Sequence, residues 1–171
     1  MVLWYFWIYS FLGYLLEKLF AKVTHAEKQC RKCFLLLPMC PVYGLGMLAV
    51  LALPSACKSG IWLVVFGGLA ATGVEYVVHW AYDRFLHVRF WDYSQVAGNL
   101  RGRVCLPFTV AWGLLTALAV WLVQPGVERL ASRVLPEITY LCLLIFTADF
   151  LCSARFLWVT GDVEALRADM A

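Results

Sequence analysis

Three carboxylates stand inside long apolar runs: Glu17, Glu75 and Asp149. An ionised carboxylate deep in a bilayer costs about 2.5–3.5 kcal/mol on insertion scales, so such groups face a protein interior or water, or take up a proton. Two bases, Arg101 and Arg103, precede the fourth apolar run, and their forked donors suit a carboxylate partner or an anionic ligand. His79 lies one helical turn after Glu75, as its hydrogen-bond partner or as a proton relay, and Asn99 adds a polar group beside the arginines. The chemistry implied is binding of a polar or anionic substrate, or proton passage by carboxylate protonation. No nucleophile–base pair or metal-ligand spacing is legible, so no catalytic residue, metal or cofactor is expected. Cys30-Arg-Lys-Cys33 has CxxC spacing without a second pair, while Cys40, Cys105, Cys142 and Cys152 sit in or beside apolar runs and read as small buried hydrophobes.

The elements that must position these groups follow from composition. Of 171 residues, 63% are hydrophobic and 15% charged, with a mean hydropathy of +0.77. Soluble domains carry about 25% charged residues, so residues 1–171 read as a single all-α domain in a membrane. A spanning helix needs about 20 apolar residues, and five windows qualify: 2–20, 36–54, 60–82, 104–124 and 137–158. Pro54 to Gly60 reads as a tight connection, Gln124-Pro-Gly126 as the end of span four, and Pro38 and Pro41 as an irregular entry to span two. Eleven of the 14 Lys and Arg fall in loop 18–34, loop 83–103 and the tail, which predicts an outside N-terminus and a cytoplasmic C-terminus in a multi-pass cell-membrane protein. The first cations, Lys18 and Lys22, follow the first apolar run, the reverse of a signal peptide. A net charge of +3 is too small to imply nucleic acid.

Spans one, three and five run in the same direction, so their acids reach one layer in the cytoplasmic half. Ser10, Gly13 and Glu17 share a helix face, as do Gly68, Thr72, Glu75, His79 and Tyr82. Gly67, Gly68 and Ala71 suit a close interface in a homo-oligomer or hetero-complex. The loop from Phe90 to Leu106 mixes aromatics, an acid, two glycines and two arginines. Trp91 and Tyr93 suit the headgroup level, Asp92 a turn cap, and Gly98 and Gly102 tight backbone geometry. Arg101 and Arg103 are the natural counterions of the carboxylates, or a contact to anionic lipid headgroups.

At this loop the chain resembles the putative ABC-transporter type IV, or CmpB-like, membrane protein family. The resemblance covers about residues 5–115. It rests on Tyr9-Ser-Phe-Leu-Gly13-Tyr-Leu-Leu-Glu17, Cys40-Pro41-Val-Tyr43-Gly44-Leu-Gly46, Glu75 with Asp83, Trp91-Asp92-Tyr93-Ser94, Asn99-Leu-Arg101-Gly102-Arg103-Val-Cys105-Leu106, and Trp112-Gly113. It implies a polytopic helical protein with these polar positions in its signature. The family usually has a glycine before its Cys-Pro stretch, where this chain reads Leu35-Leu-Leu-Pro38. No GxxxxGK[ST] phosphate loop is present, so an ABC system would take its ATPase from a separate chain. The sequence expectation is a transporter's membrane subunit. Its alternatives are an enzyme acting on a lipid or lipid-linked substrate at the inner leaflet, and a non-catalytic scaffold or sensor.

Overall fold

The computed structural model describes residues 1–24, 33–163 and 165–168. Helix α1 runs Val2–Val23, α2 Pro41–Leu51, and α3 Gly60–Ala81 before a π-helical turn, Tyr82–Leu86. Helix α4 runs Leu106–Ala131 through a π-helical turn at Ala119–Val123, α5 spans Pro136–Thr160, and a short α6 covers Ala165–Ala168. A two-stranded hairpin pairs Asn99–Leu100 with Val104–Cys105. Three helices, Gly60–Leu86, Leu106–Ala131 and Pro136–Thr160, are long and apolar enough to cross a membrane. Large apolar side chains stand on their outer faces, among them Leu122 and Trp158 at 72% exposure, as on helices that meet lipid.

Two span expectations are corrected. Window 36–54 does not form a full helix: α2 has 11 residues, about 16 Å against the roughly 30 Å of a hydrocarbon core. Pro38 and Pro41 lack backbone donors and disfavour helix in the residue before each, so residues 33–40 stay irregular and Pro41 opens α2. Conversely, Gln124-Pro-Gly126 does not end α4. The widened turn at Ala119–Val123 precedes Pro125, where a regular helix would drive the ring into the carbonyl four residues back.

Small residues bring the helices together. A Cβ on Gly68 would come within 3.1 Å of the Gly113 Cα, and one on Gly13 would overlap the Tyr43 ring. Gly67 faces Thr116 and Ala71 faces Gly46, so the residues expected at an oligomer interface join α3 to α4 and α2 within one chain. One end of the bundle is closed by Tyr9, Met47 and Val127 and by Val50, Leu63 and Ala117. At the other end Phe34, Leu35, Val88, Phe90, Leu157 and Leu166 tie segment 33–40, the loop after α3 and α5 together.

Segment 33–40 also corrects the reading of Cys40 as a free thiol, because Cys33 and Cys40 form a disulfide with Cα atoms 4.9 Å apart. Cys105, Cys142 and Cys152 are free. Cys30 and residues 31–32 of the CxxC stretch lie outside the described residues, as do Lys28 and Glu164.

Candidate functional site

Glu75, on α3, is 4% exposed. Its Oε1 accepts from the Tyr93 hydroxyl at 3.1 Å and its Oε2 from the Trp112 indole N–H at 2.8 Å. Nearly two turns before the end of α1, Glu17 accepts from the Tyr43 hydroxyl at 2.6 Å. The Tyr43 ring meets Trp112 edge-on at 5.1 Å, so Glu17, Tyr43, Trp112, Glu75 and Tyr93 form one continuous chain. Neither glutamate has an ion-pair partner among the described residues.

Two adjoining cavities of about 240 and 370 Å³ meet at this chain and share Leu16, Val42, Tyr43, Glu75, Trp112 and Leu115 in their walls. The smaller continues among Gly13, Met47, Thr116 and Ala119, and is otherwise almost wholly apolar. The larger adds Glu17, Trp91, Tyr93 and Phe108. Both lie between α1 and α4. These helices touch through Phe20 and Phe108 at one end, and through the Tyr9 hydroxyl, which donates to Gln124 at 2.8 Å, at the other.

The loop after α3 positions Tyr93. Leu100 to Arg103 make a turn closed by the Arg103 N–H on the Leu100 carbonyl at 3.1 Å, with Arg101 at φ 55° and Gly102 at φ 68°. Two positive φ values in succession define a type I′ turn, whose twist suits a hairpin. Asn99 donates to the Val96 carbonyl at 2.8 Å and accepts from the Gly102 N–H at 3.0 Å. The Tyr93 N–H then reaches the Gly102 carbonyl at 2.8 Å, and its ring stacks on Phe108 at 5.0 Å. Asp92 accepts from the Ser94 N–H at 2.8 Å, and that bond holds its carboxyl below the ordinary range. Burial first, then the adjacent Glu75, pushes the Tyr93 phenol well above its ordinary value, so it remains a donor. The Trp91 indole N–H donates to the Arg103 carbonyl at 2.9 Å.

The sequence-predicted residues thus divide. Glu17 and Glu75 come together with Tyr43, Trp91 and Tyr93, while Asp149 stands apart in α5. Asp149 accepts the Leu36 and Leu37 N–H groups at 3.0 and 2.9 Å and the Ser153 hydroxyl at 3.2 Å. The arginines do not serve as counterions of these acids. Arg103 pairs with Asp83 at 3.1 Å and with the Tyr76 hydroxyl at 3.3 Å, and Arg101 is exposed at the hairpin tip. Arg89 completes the Asp83 pair at 3.0 Å. His79 bonds the Trp91 carbonyl at 3.0 Å through Nε2, not Glu75, and its buried Nδ1 has no partner. Tyr9, Gly13 and Gly44 pack α1 against α2, where a Cβ on Gly44 would meet Ser10 and Phe6, and Cys105 ends the hairpin. Sequence reasoning did not place Trp112 and Phe108 at the site. Their spacing with Leu115, at i, i+4 and i+7, is the inward face of α4 and was the signal available.

Among the described residues, no group of three His, Cys, Asp or Glu is placed to hold a metal ion. Lipid-facing helices enclosing a cavity with carboxylates in its wall define a helical membrane protein. The chain belongs to the family described as putative ABC-transporter type IV, whose model matches residues 4–154 and so includes most of α5. No curated protein and no solved structure matches it.

Proposed function

We propose that this protein is the membrane subunit of a transporter without an ATPase of its own, in which Glu17 and Glu75 bind substrate or carry protons. The observation that carries the reading is Glu75 itself: a buried carboxylate, met only by the neutral donors Tyr93 and Trp112, at the junction of two cavities. Burying such a charge without a base is costly, so a role that needs the charge or its proton accounts for it. In this reading the larger cavity faces the cytoplasm. Lys18, Lys22, Arg84, Arg89, Arg101 and Arg103 belong to that side, with the N-terminus outside, and residues 33–51 make the second of five crossings as an irregular entry followed by α2. A separate ATPase chain and self-association complete the assembly in the cell membrane, with anionic lipid headgroups at the exposed Arg101. Asn99, Arg103 and His79 act as positioning residues for the loop that carries Tyr93.

Charge movement tests the proposal. Proteoliposomes adsorbed on a solid-supported membrane, given pH jumps and pulses of small organic ions, are expected to show transient currents that Glu75→Gln abolishes. Currents of wild-type size in Glu75→Gln would overturn it.

A further inference from the structure

The two cavities differ sharply in lining, and the difference specifies a ligand. In the larger, Glu17 and Glu75 are surrounded by the rings of Phe20, Tyr43, Trp91, Tyr93, Phe108 and Trp112. No Lys or Arg among the described residues lines either cavity, and Arg103 is drawn away by Asp83 and by the Tyr76 ring, 5.2 Å from its guanidinium. Each glutamate receives only neutral hydrogen bonds, which leave its charge uncompensated and several lone pairs open. Aromatic faces add a second attraction for a positive centre, strongest for Trp and for ions that shed water easily. An anion would meet two carboxylates and no base. Beyond Tyr43 and Trp112 the smaller cavity offers an apolar chamber, with the exposed Leu12 and Leu118 at its edge on the lipid-facing side.

We infer that the two adjoining cavities together bind an amphiphilic cation, with an alkylammonium head between Glu17, Glu75 and the surrounding rings and an apolar tail in the smaller chamber. This replaces the anionic substrate expected from the arginines. It rests on the transport reading only for the location of the site, since binding is measurable without flux. The lining also specifies the order of discrimination: charge sign first, because it is read by two carboxylates, and tail second, because an apolar chamber distinguishes chain lengths only gradually.

The test titrates purified protein in maltoside detergent with hexyltrimethylammonium by calorimetry, subtracting detergent alone. Saturable binding is expected, at least tenfold weaker for tetramethylammonium, which lacks the tail, and undetectable for hexyl sulfate, which inverts the charge. Glu17→Gln is expected to weaken binding at least fivefold. Ala111→Trp, which fills the larger cavity from the exposed edge of α4, is expected to abolish it. Both variants are first shown to be monodisperse with wild-type helicity. Hexylphosphocholine binding as tightly as hexyltrimethylammonium would support ammonium recognition and assign its source to a lipid headgroup. Weaker phosphocholine binding would support a free cation. Hexyl sulfate binding as well as the cation, or unchanged affinity in Ala111→Trp, would overturn the inference. Binding without charge movement would refute transport and keep the ligand. Charge movement driven by anions alone would keep transport and refute the ligand.

Discussion

Asp149 and Glu75 are both carboxylates in the apolar helices of one chain, and they do different things. Asp149 accepts two backbone N–H groups from segment 33–40, which Pro38 and Pro41 keep out of a helix, and it lines neither cavity. Glu75 accepts side-chain donors and lies at the boundary of both. Irregular backbone at membrane depth must find acceptors and donors within the protein, and a side-chain carboxylate is the strongest acceptor available. An acid in a spanning helix can therefore be a splint for a broken neighbour; only the acid beside open space is free to meet a ligand. Replacement separates the two roles. Asp149→Ala removes an acceptor from Leu36 and Leu37 and is expected to cost about 2–4 kcal/mol, read as a fall in the melting temperature in detergent. Glu75→Gln keeps a carbonyl oxygen for one donor and is expected to change stability by only about 1 kcal/mol while losing charge movement. If the two variants melt alike, the distinction fails.

A narrower comparison sets Tyr93 against the rest of its loop. The hydroxyl serves Glu75, whereas the ring stacks on Phe108 and the backbone is held by Gly102. Tyr93→Phe deletes the hydroxyl alone and leaves Trp112 as the donor to Glu75. The expected loss is about 1–2 kcal/mol in thermal unfolding, with the hairpin intact by hydrogen exchange. A collapse of hairpin protection would mean that the hydroxyl anchors the loop rather than the acid.

The reach of the sequence differs by element. Apolar runs located α3 and α5 to within a few residues, because lipid-facing helices must be continuous in hydrophobicity. The prolines marked the entry to α2 as irregular but not its extent, which depends on Asp149 supplying acceptors more than a hundred residues later. Gln124-Pro-Gly126 read as a stop because a widened helical turn carries no sequence pattern. Within the site, depth alone brought Glu17 and Glu75 to one layer, but it could not separate Asp149, since depth says nothing about which way a helix faces. The arginines misled for a related reason: Arg103 found Asp83, about two helical turns beyond Glu75, and Arg101 occupies a left-handed turn position more often filled by Asn or Gly. Tyr43 and Trp112 were visible as motif residues, and only packing shows that their rings stand where two adjoining cavities meet.

The smallest expected effect concerns Asp92, at the exposed edge of the loop. Its carboxylate accepts the Ser94 N–H at 2.8 Å, and a Cβ on Gly102 would come within 2.7 Å of it, so the turn and the hairpin meet at this group. The Ser94 bond favours the ionised form and depresses the folded pKa. A depressed carboxyl pKa gives a contribution that is fully present above the unfolded value, about 3.9, and is lost as pH falls through the folded value. Amide protection at Ser94 and Gly102, corrected for intrinsic exchange, is therefore expected to decline below about pH 4 in the wild type. Asp92→Asn retains an oxygen for the Ser94 N–H but does not titrate, so its protection is expected to be slightly lower near neutrality and flat through the same range. Glu75 lies beyond the hairpin and has its own donors, so this loss is expected to loosen the tip without moving Tyr93. Matching pH profiles for wild type and Asp92→Asn would show that the loop is held by Asn99 and the Gly102 carbonyl alone.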